Sequence, residues 1–178
     1  KYQEAIESYR QAIGIDPDHA DAHGNLGLAY KKSGNHKKAI ESYKQAIRIN
    51  PEDAGAHNNL GYAYDELGKY EEAIKSYKQV IRIDPDDEQA HFYLGLAYGE
   101  SGKYEEAIES FKQAIRIDPD NANTHYNLGL AYRKLGRYEE AIESYKQAIW
   151  IDPDFAKAHF NLGLAYYKSG MYKEAIES

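Results

Sequence analysis

Along residues 122 to 155, ANTHYNLGLAYRKLGRYEEAIESYKQAIWIDPDF, apolar positions return with a helical period twice over. His125, Leu128, Gly129 and Tyr132 are spaced three, one and three apart, so they share one face of a first helix. Ala141, Ile142, Tyr145, Ala148 and Ile149 do the same on a second. Gly136 supplies the residue that reaches positive φ where the first helix ends, and Asp152-Pro153-Asp154 stops the second. The pattern recurs along the whole chain, with Pro17, Pro51, Pro85, Pro119 and Pro153 each 34 residues apart. A fixed period of this size predicts stacked helical hairpins that cover one another rather than a closed globule.

The repeat frames follow from that period. Residues 1–19 form a half repeat, a lone second helix with its exit turn. Full hairpins are expected at 20–53, 54–87, 88–121 and 122–155, and a partial repeat at 156–178, all in a single array. KYQEAIES at the start and MYKEAIES at the end occupy the same phase. Ile6, Tyr9 and Ile13 at one end, and Ala175 and Ile176 at the other, are core-type residues without a polar cap, which such arrays use to close their ends. The chain is therefore expected to be an excerpt from a longer array, and end-to-end self-association is one expected way of covering these ends.

His-x-x-Leu-Gly-x-x-Tyr, followed by Ala-x-x-x-Tyr and then Pro, resembles the tetratricopeptide (TPR) pattern, whose first position is Trp. The resemblance runs the length of the chain. It implies an all-α TPR solenoid, a right-handed superhelix of antiparallel helix hairpins whose first helices line a concave groove. It also implies a protein or peptide partner, with no one partner favoured, since many bind on this scaffold.

Composition narrows the partners. The formal net charge is −7, against the clustered Lys and Arg that a grip on phosphates needs, so nucleic acid is not expected. No apolar run approaches the roughly 20 residues of a membrane span and no signal peptide opens the chain, so no membrane partner is expected and a cytoplasmic location is. Absence of cysteine removes disulfides and cysteine zinc sites.

Candidate chemistry reads as structure. Five of the seven histidines, His23, His57, His91, His125 and His159, take one repeat position, on successive helices roughly 8 to 10 Å apart. One ion cannot bridge them with bonds of about 2 Å, so half-buried rings filling a core slot are expected, and neither metal nor other cofactor. The Glu71-Glu72, Glu105-Glu106 and Glu139-Glu140 pairs diverge by about 100° around their helices and face solvent. The repeated serines Ser42, Ser76, Ser110 and Ser144 form no triad with histidine and aspartate. The chain is expected not to be an enzyme.

Function is better sought where the copies differ. Tyr62, Tyr93, Tyr126 and Tyr167, with Phe92 and Phe160, lie on first helices away from the packing stripe, on the set that the TPR resemblance places in the groove. Leu96, Leu130 and Leu164 would make its apolar floor, and Arg133 joins Lys134, Lys157 and Lys168 in a more basic end facing Asp65 and Glu66 at the other. Asn25, Asn59, Asn127 and Asn161 repeat at one place, with Tyr93 replacing the fifth. Such amides donate and accept, so a row of them can hold a peptide backbone without reading its sequence, or bond neighbouring helices. The row resembles the asparagine ladder of TPR arrays attached to O-linked N-acetylglucosamine transferases. At the basic places of the chaperone-binding TPR clamp stand Asp21, Gly55, Gln89, Asn123 and Lys157, of which only Lys157 fits, so chaperone-tail binding is not expected.

The expected function is thus a protein-interaction scaffold that takes an extended peptide or helix in its groove. Its aromatic or aliphatic anchors would dock on the extra aromatics, with an acidic portion over the last two repeats. The alternatives are a recruiting arm of a larger enzyme such as a glycosyltransferase, and a self-stacking structural array.

Overall fold

In the computed structural model, which describes residues 1–171, each second helix lays an aromatic ring on a glycine of the helix before it. A methyl group at Gly27 would lie 2.6 Å from Cε1 of Tyr43, and one at Gly61 would lie 2.7 Å from Cε1 of Tyr77. Gly95 under Phe111 and Gly129 under Tyr145 repeat the arrangement at 2.6 Å. Only glycine lets the ring sink this far, and the rings are accordingly buried.

Ten α-helices and no strand make up the described residues. They fall into two compact units, Lys1–Pro85 and Asp86–Ser178. The first unit holds α1 (Tyr2–Ile15), α2 (Ala20–Lys32), α3 (His36–Ile49), α4 (Ala54–Asp65) and α5 (Tyr70–Ile83). The second holds α6 (Glu88–Glu100), α7 (Tyr104–Ile117), α8 (Ala122–Lys134), α9 (Tyr138–Ile151) and α10 (Ala156–Ser169). Within each unit every helix packs on the next. The predicted core residues Ala175 and Ile176, and the rest of the partial repeat after Met171, lie outside the described residues.

Local signals explain the boundaries. Asp53 and Asp87 accept from Ala56 N and Ala90 N at 2.9 Å each, capping α4 and α6, and Asn121 caps α8 through Thr124 N at 3.3 Å. Phe155 stands where the next cap would be and makes no such bond. At the hairpin turns Gly136 adopts φ 74° and Gly170 φ 83°, the left-handed conformation expected after a first helix. The ladder histidines also have a structural partner. His57 Nε2 lies 2.9 Å from the carbonyl of Pro51, and His125 Nε2 lies 2.9 Å from that of Pro119, tying each first helix to the turn that precedes it. Among the described residues no group of three or more His, Cys, Asp or Glu is placed to hold a metal ion.

Candidate functional site

First helices carry a stripe at positions spaced four and three apart, which brings three side chains onto one face. In the first unit the stripe reads Gly24-Leu28-Lys31 on α2 and Asn58-Tyr62-Asp65 on α4. In the second it reads Phe92-Leu96-Gly99 on α6, Tyr126-Leu130-Arg133 on α8 and Phe160-Leu164-Tyr167 on α10. Most of the site residues expected from the sequence stand on these stripes; the asparagines and Tyr93 adjoin them.

In the first unit the stripe is polar and knitted together by Lys31. Its ammonium donates to Oδ1 of Asn59 at 3.2 Å and lies 4.5 Å from the centre of the Tyr62 ring. Partial burial, helped by the charge of Lys32, holds this ammonium below its ordinary pKa, with Glu66 acting in the opposite sense. Asn59 Nδ2 donates to the carbonyl of Gly55 at 3.0 Å, so both ends of this amide are engaged within the protein. Asn25 is exposed, and Tyr62 is 38% exposed.

In the second unit the residues divide by accessibility. Phe160, Tyr167 and Leu164 on α10 are 67%, 59% and 37% exposed, whereas Phe92, Tyr93, Leu96, Leu130 and Arg133 are half-buried. Tyr126 is half-buried too and is used in packing: its ring lies 5.0 Å from Phe155 and 5.9 Å from Tyr145, and its hydroxyl accepts from Asn161 Nδ2 at 3.2 Å. Phe92 rests 6.0 Å from Phe111. Asn127 and Asn161 donate to the carbonyls of Asn123 and Lys157, four residues back, at 2.8 and 2.9 Å. That back-bonding explains how asparagine is tolerated mid-helix, and it leaves the amide oxygen as the group able to meet a ligand.

The sequence singles out Asp65, Arg133 and Tyr167 one by one, but not that 31, 65, 99, 133 and 167 are one repeat place at the end of the stripe. This place faces the ring that sits on the glycine. Asp65 accepts from the Tyr77 hydroxyl at 2.7 Å. Arg133 lies beside Tyr145, where its guanidinium acts against the effect of burial on the tyrosine hydroxyl, while its Nε finds no hydrogen-bond partner. Burial pushes the Tyr43 and Tyr145 hydroxyls up to about 12, so both remain O–H groups at neutral pH. On α6 both partners have changed together, to Gly99 and Phe111. The result is an open cavity of about 230 Å³ between α6, α7 and α8.

Helical hairpins of constant length, built on a glycine-under-ring core, define a repeat protein of the all-α solenoid class. The TPR repeat profile matches residues 1–34, 29–68, 66–102, 100–136 and 129–170, and the chain belongs to the TPR family. Solved structures agree. The chain is similar to MamA at 31% identity with a TM-score of 0.83, over 85% of this chain and 89% of that one. MamA from Desulfovibrio magneticus RS-1 matches at 25% identity and TM-score 0.84, over 89% of each chain. YrrB, described as a TPR protein with an unusual peptide-binding site, matches at 26% identity and TM-score 0.82, over 88% of this chain and 81% of that one. No curated protein sequence matches the chain. No helix among the described residues is long and apolar enough to cross a membrane.

Proposed function

We propose that the chain is a protein-interaction scaffold whose first-helix stripes bind an extended peptide or helix of a partner, with no catalysis of its own. The observation that carries this is the contrast within one helix type. Tyr30, Tyr64, Tyr98, Tyr132 and Tyr166, at the packing position, are at most 9% exposed, whereas Tyr62, Phe160 and Tyr167 on the stripe stand out at 38%, 67% and 59%. Large rings left in water have a cost that binding recovers, and aromatic anchors commonly dominate interface energies, at about 2 kcal/mol or more each. Asn127 and Asn161 would offer amide oxygens to the peptide backbone, and Arg133 and Lys168 would favour an acidic portion of the ligand. That YrrB has a peptide-binding site on a similar framework supports the reading.

Peptides selected from a random library on the immobilised protein test it. They should lose binding to the Tyr62→Ser/Phe160→Ser/Tyr167→Ser variant, while its helical circular dichroism is unchanged, because all three side chains are exposed. Selected peptides that bind this variant as well as the unchanged protein would place the interaction elsewhere.

A further inference from the structure

The cavity between α6, α7 and α8 lies where two repeat positions differ together from the other copies. Where α2, α4, α8 and α10 carry Lys31, Asp65, Arg133 and Tyr167, α6 carries Gly99, and a methyl group built there would meet nothing within 4 Å. Where α3, α5 and α9 carry a tyrosine, α7 carries Phe111, which is buried and brings no hydroxyl to this end of the hairpin. One change opens the space and the other removes the buried polar group that would need a partner inside it. Leu96 and Leu130 form apolar walls, and Glu100 and Lys134 stand on the rim.

Glu100 and Lys134 are exposed, and among the described residues neither has an ion pair. Asn127, also in the lining, donates to its own helix and keeps its amide oxygen for a backbone N–H.

We propose that this cavity is a specificity pocket that takes one large apolar side chain of a peptide, flanked by a cationic residue that meets Glu100 and an acidic residue that meets Lys134. The proposal rests on the scaffold reading above and deepens it, because it names Gly99 and Phe111 as the residues that decide what the second unit accepts. The occupant is apolar because Leu96, Leu130 and Phe111 offer it no hydrogen-bonding side chain, Tyr104 and Asn127 being the uncharged polar residues of the lining. It carries both signs of charge because the rim does.

The test uses extended peptides with a central Lys-Leu-Glu or Glu-Leu-Lys core and the same peptides with serine in place of leucine. Binding to the whole chain is followed by fluorescence polarisation. One of the leucine peptides should bind at least about tenfold more tightly than its serine counterpart, as expected for burying a leucine side chain. The Gly99→Asp/Phe111→Tyr variant, which copies the Asp65–Tyr77 pair that this fold already accommodates, should reduce that preference to less than about twofold. Phe111→Tyr alone, which adds only a hydroxyl, should weaken the leucine peptide in the same direction.

Equal binding of leucine and serine peptides, or a leucine preference that survives both variants, overturns the pocket and leaves the scaffold reading standing. So does failure of every peptide to bind, since the scaffold reading is decided separately by the library-selected peptides and the exposed aromatics.

Discussion

The Tyr77 hydroxyl donates to Oδ2 of Asp65 at 2.7 Å, whereas the equivalent hydroxyl of Tyr43, one repeat earlier, is buried without a partner. The facing residue explains the difference: Lys31 occupies the place of Asp65 but turns to Asn59 and Tyr62. One hydroxyl is therefore a stabilising contact and the other an unsatisfied group.

Removing each should act in opposite directions. A hydrogen bond to a charged group is worth about 1.5–3 kcal/mol, so Tyr77→Phe should destabilise by an amount in that range. Tyr43→Phe removes a polar atom that nothing satisfies and should be neutral or stabilising by about 1 kcal/mol. Urea unfolding fitted with nearest-neighbour coupling between repeats separates the two, since a single all-or-none transition is not assured in an array. Equal losses would mean that Tyr43 has a partner after all.

Glycine to alanine should also change sign along the chain. In a helix interior the substitution ordinarily stabilises by roughly 0.5–1 kcal/mol, and at Gly24, where a methyl group meets nothing within 4 Å, it should do so. At Gly129 the same methyl would stand 2.6 Å from Cε1 of Tyr145, a buried ring that cannot swing away. Gly129→Ala should therefore cost about 1–3 kcal/mol. Thermal melts of the two variants decide it, and a stabilised Gly129→Ala would mean that the ring does not press on this helix.

The repeat made most of this architecture legible in advance. Period, turn glycines and the apolar faces depend on residues that recur, so the hairpins could be placed from Ala141, Ile142 and Tyr145 or from Pro153 alone. The stripe was partly legible: Phe160 and Tyr167 were singled out as departures and are exposed. What could not be read was which side chains turn inward. Tyr126 and Phe160 share a repeat position, yet Tyr126 is covered because Phe155 gives up the cap of α10 to stack on it, a contact that depends on packing across the turn. The asparagine row likewise concealed its back-bonds to the preceding turn of the helix. Gly99 and Phe111 escaped notice because each is unremarkable alone; only their shared position against one ring gives them meaning.

Trp150, 75% exposed at the end of α9, interrupts another repeated contact. Arg48, Arg82 and Arg116 stand at its position and pair with Asp18, Glu52 and Asp86 at 3.5, 2.7 and 3.5 Å. Asp120 is the corresponding carboxylate. Trp150→Arg should restore the pair, but on an open surface it adds only about 0.2–1 kcal/mol, and less in high salt. A gain well above that range, or one that persists in molar salt, would show that the tryptophan itself destabilises α9.

Glu88 supplies a pH dependence whose sign is opposite to that of most carboxylates. Burial raises its pKa, the neighbouring charges of Asp118 and Asp87 add to this, and hydrogen bonds from Asn121 and Thr124 act against it. The folded form therefore holds the proton at pH values where the unfolded chain has already released it. Within that window the folded state binds more protons, so stability falls as pH rises through it and is greater below. Glu88→Gln, which keeps an acceptor for Asn121, should flatten this part of the profile and gain on the unchanged protein between about pH 4 and about pH 7. Denaturation at the two ends of that range, with carbon-13 titration of the Glu88 carboxyl, measures both quantities. A carboxyl that titrates at or below the ordinary glutamate value would overturn the assignment, because the hydrogen bonds would then outweigh burial and the slope would reverse.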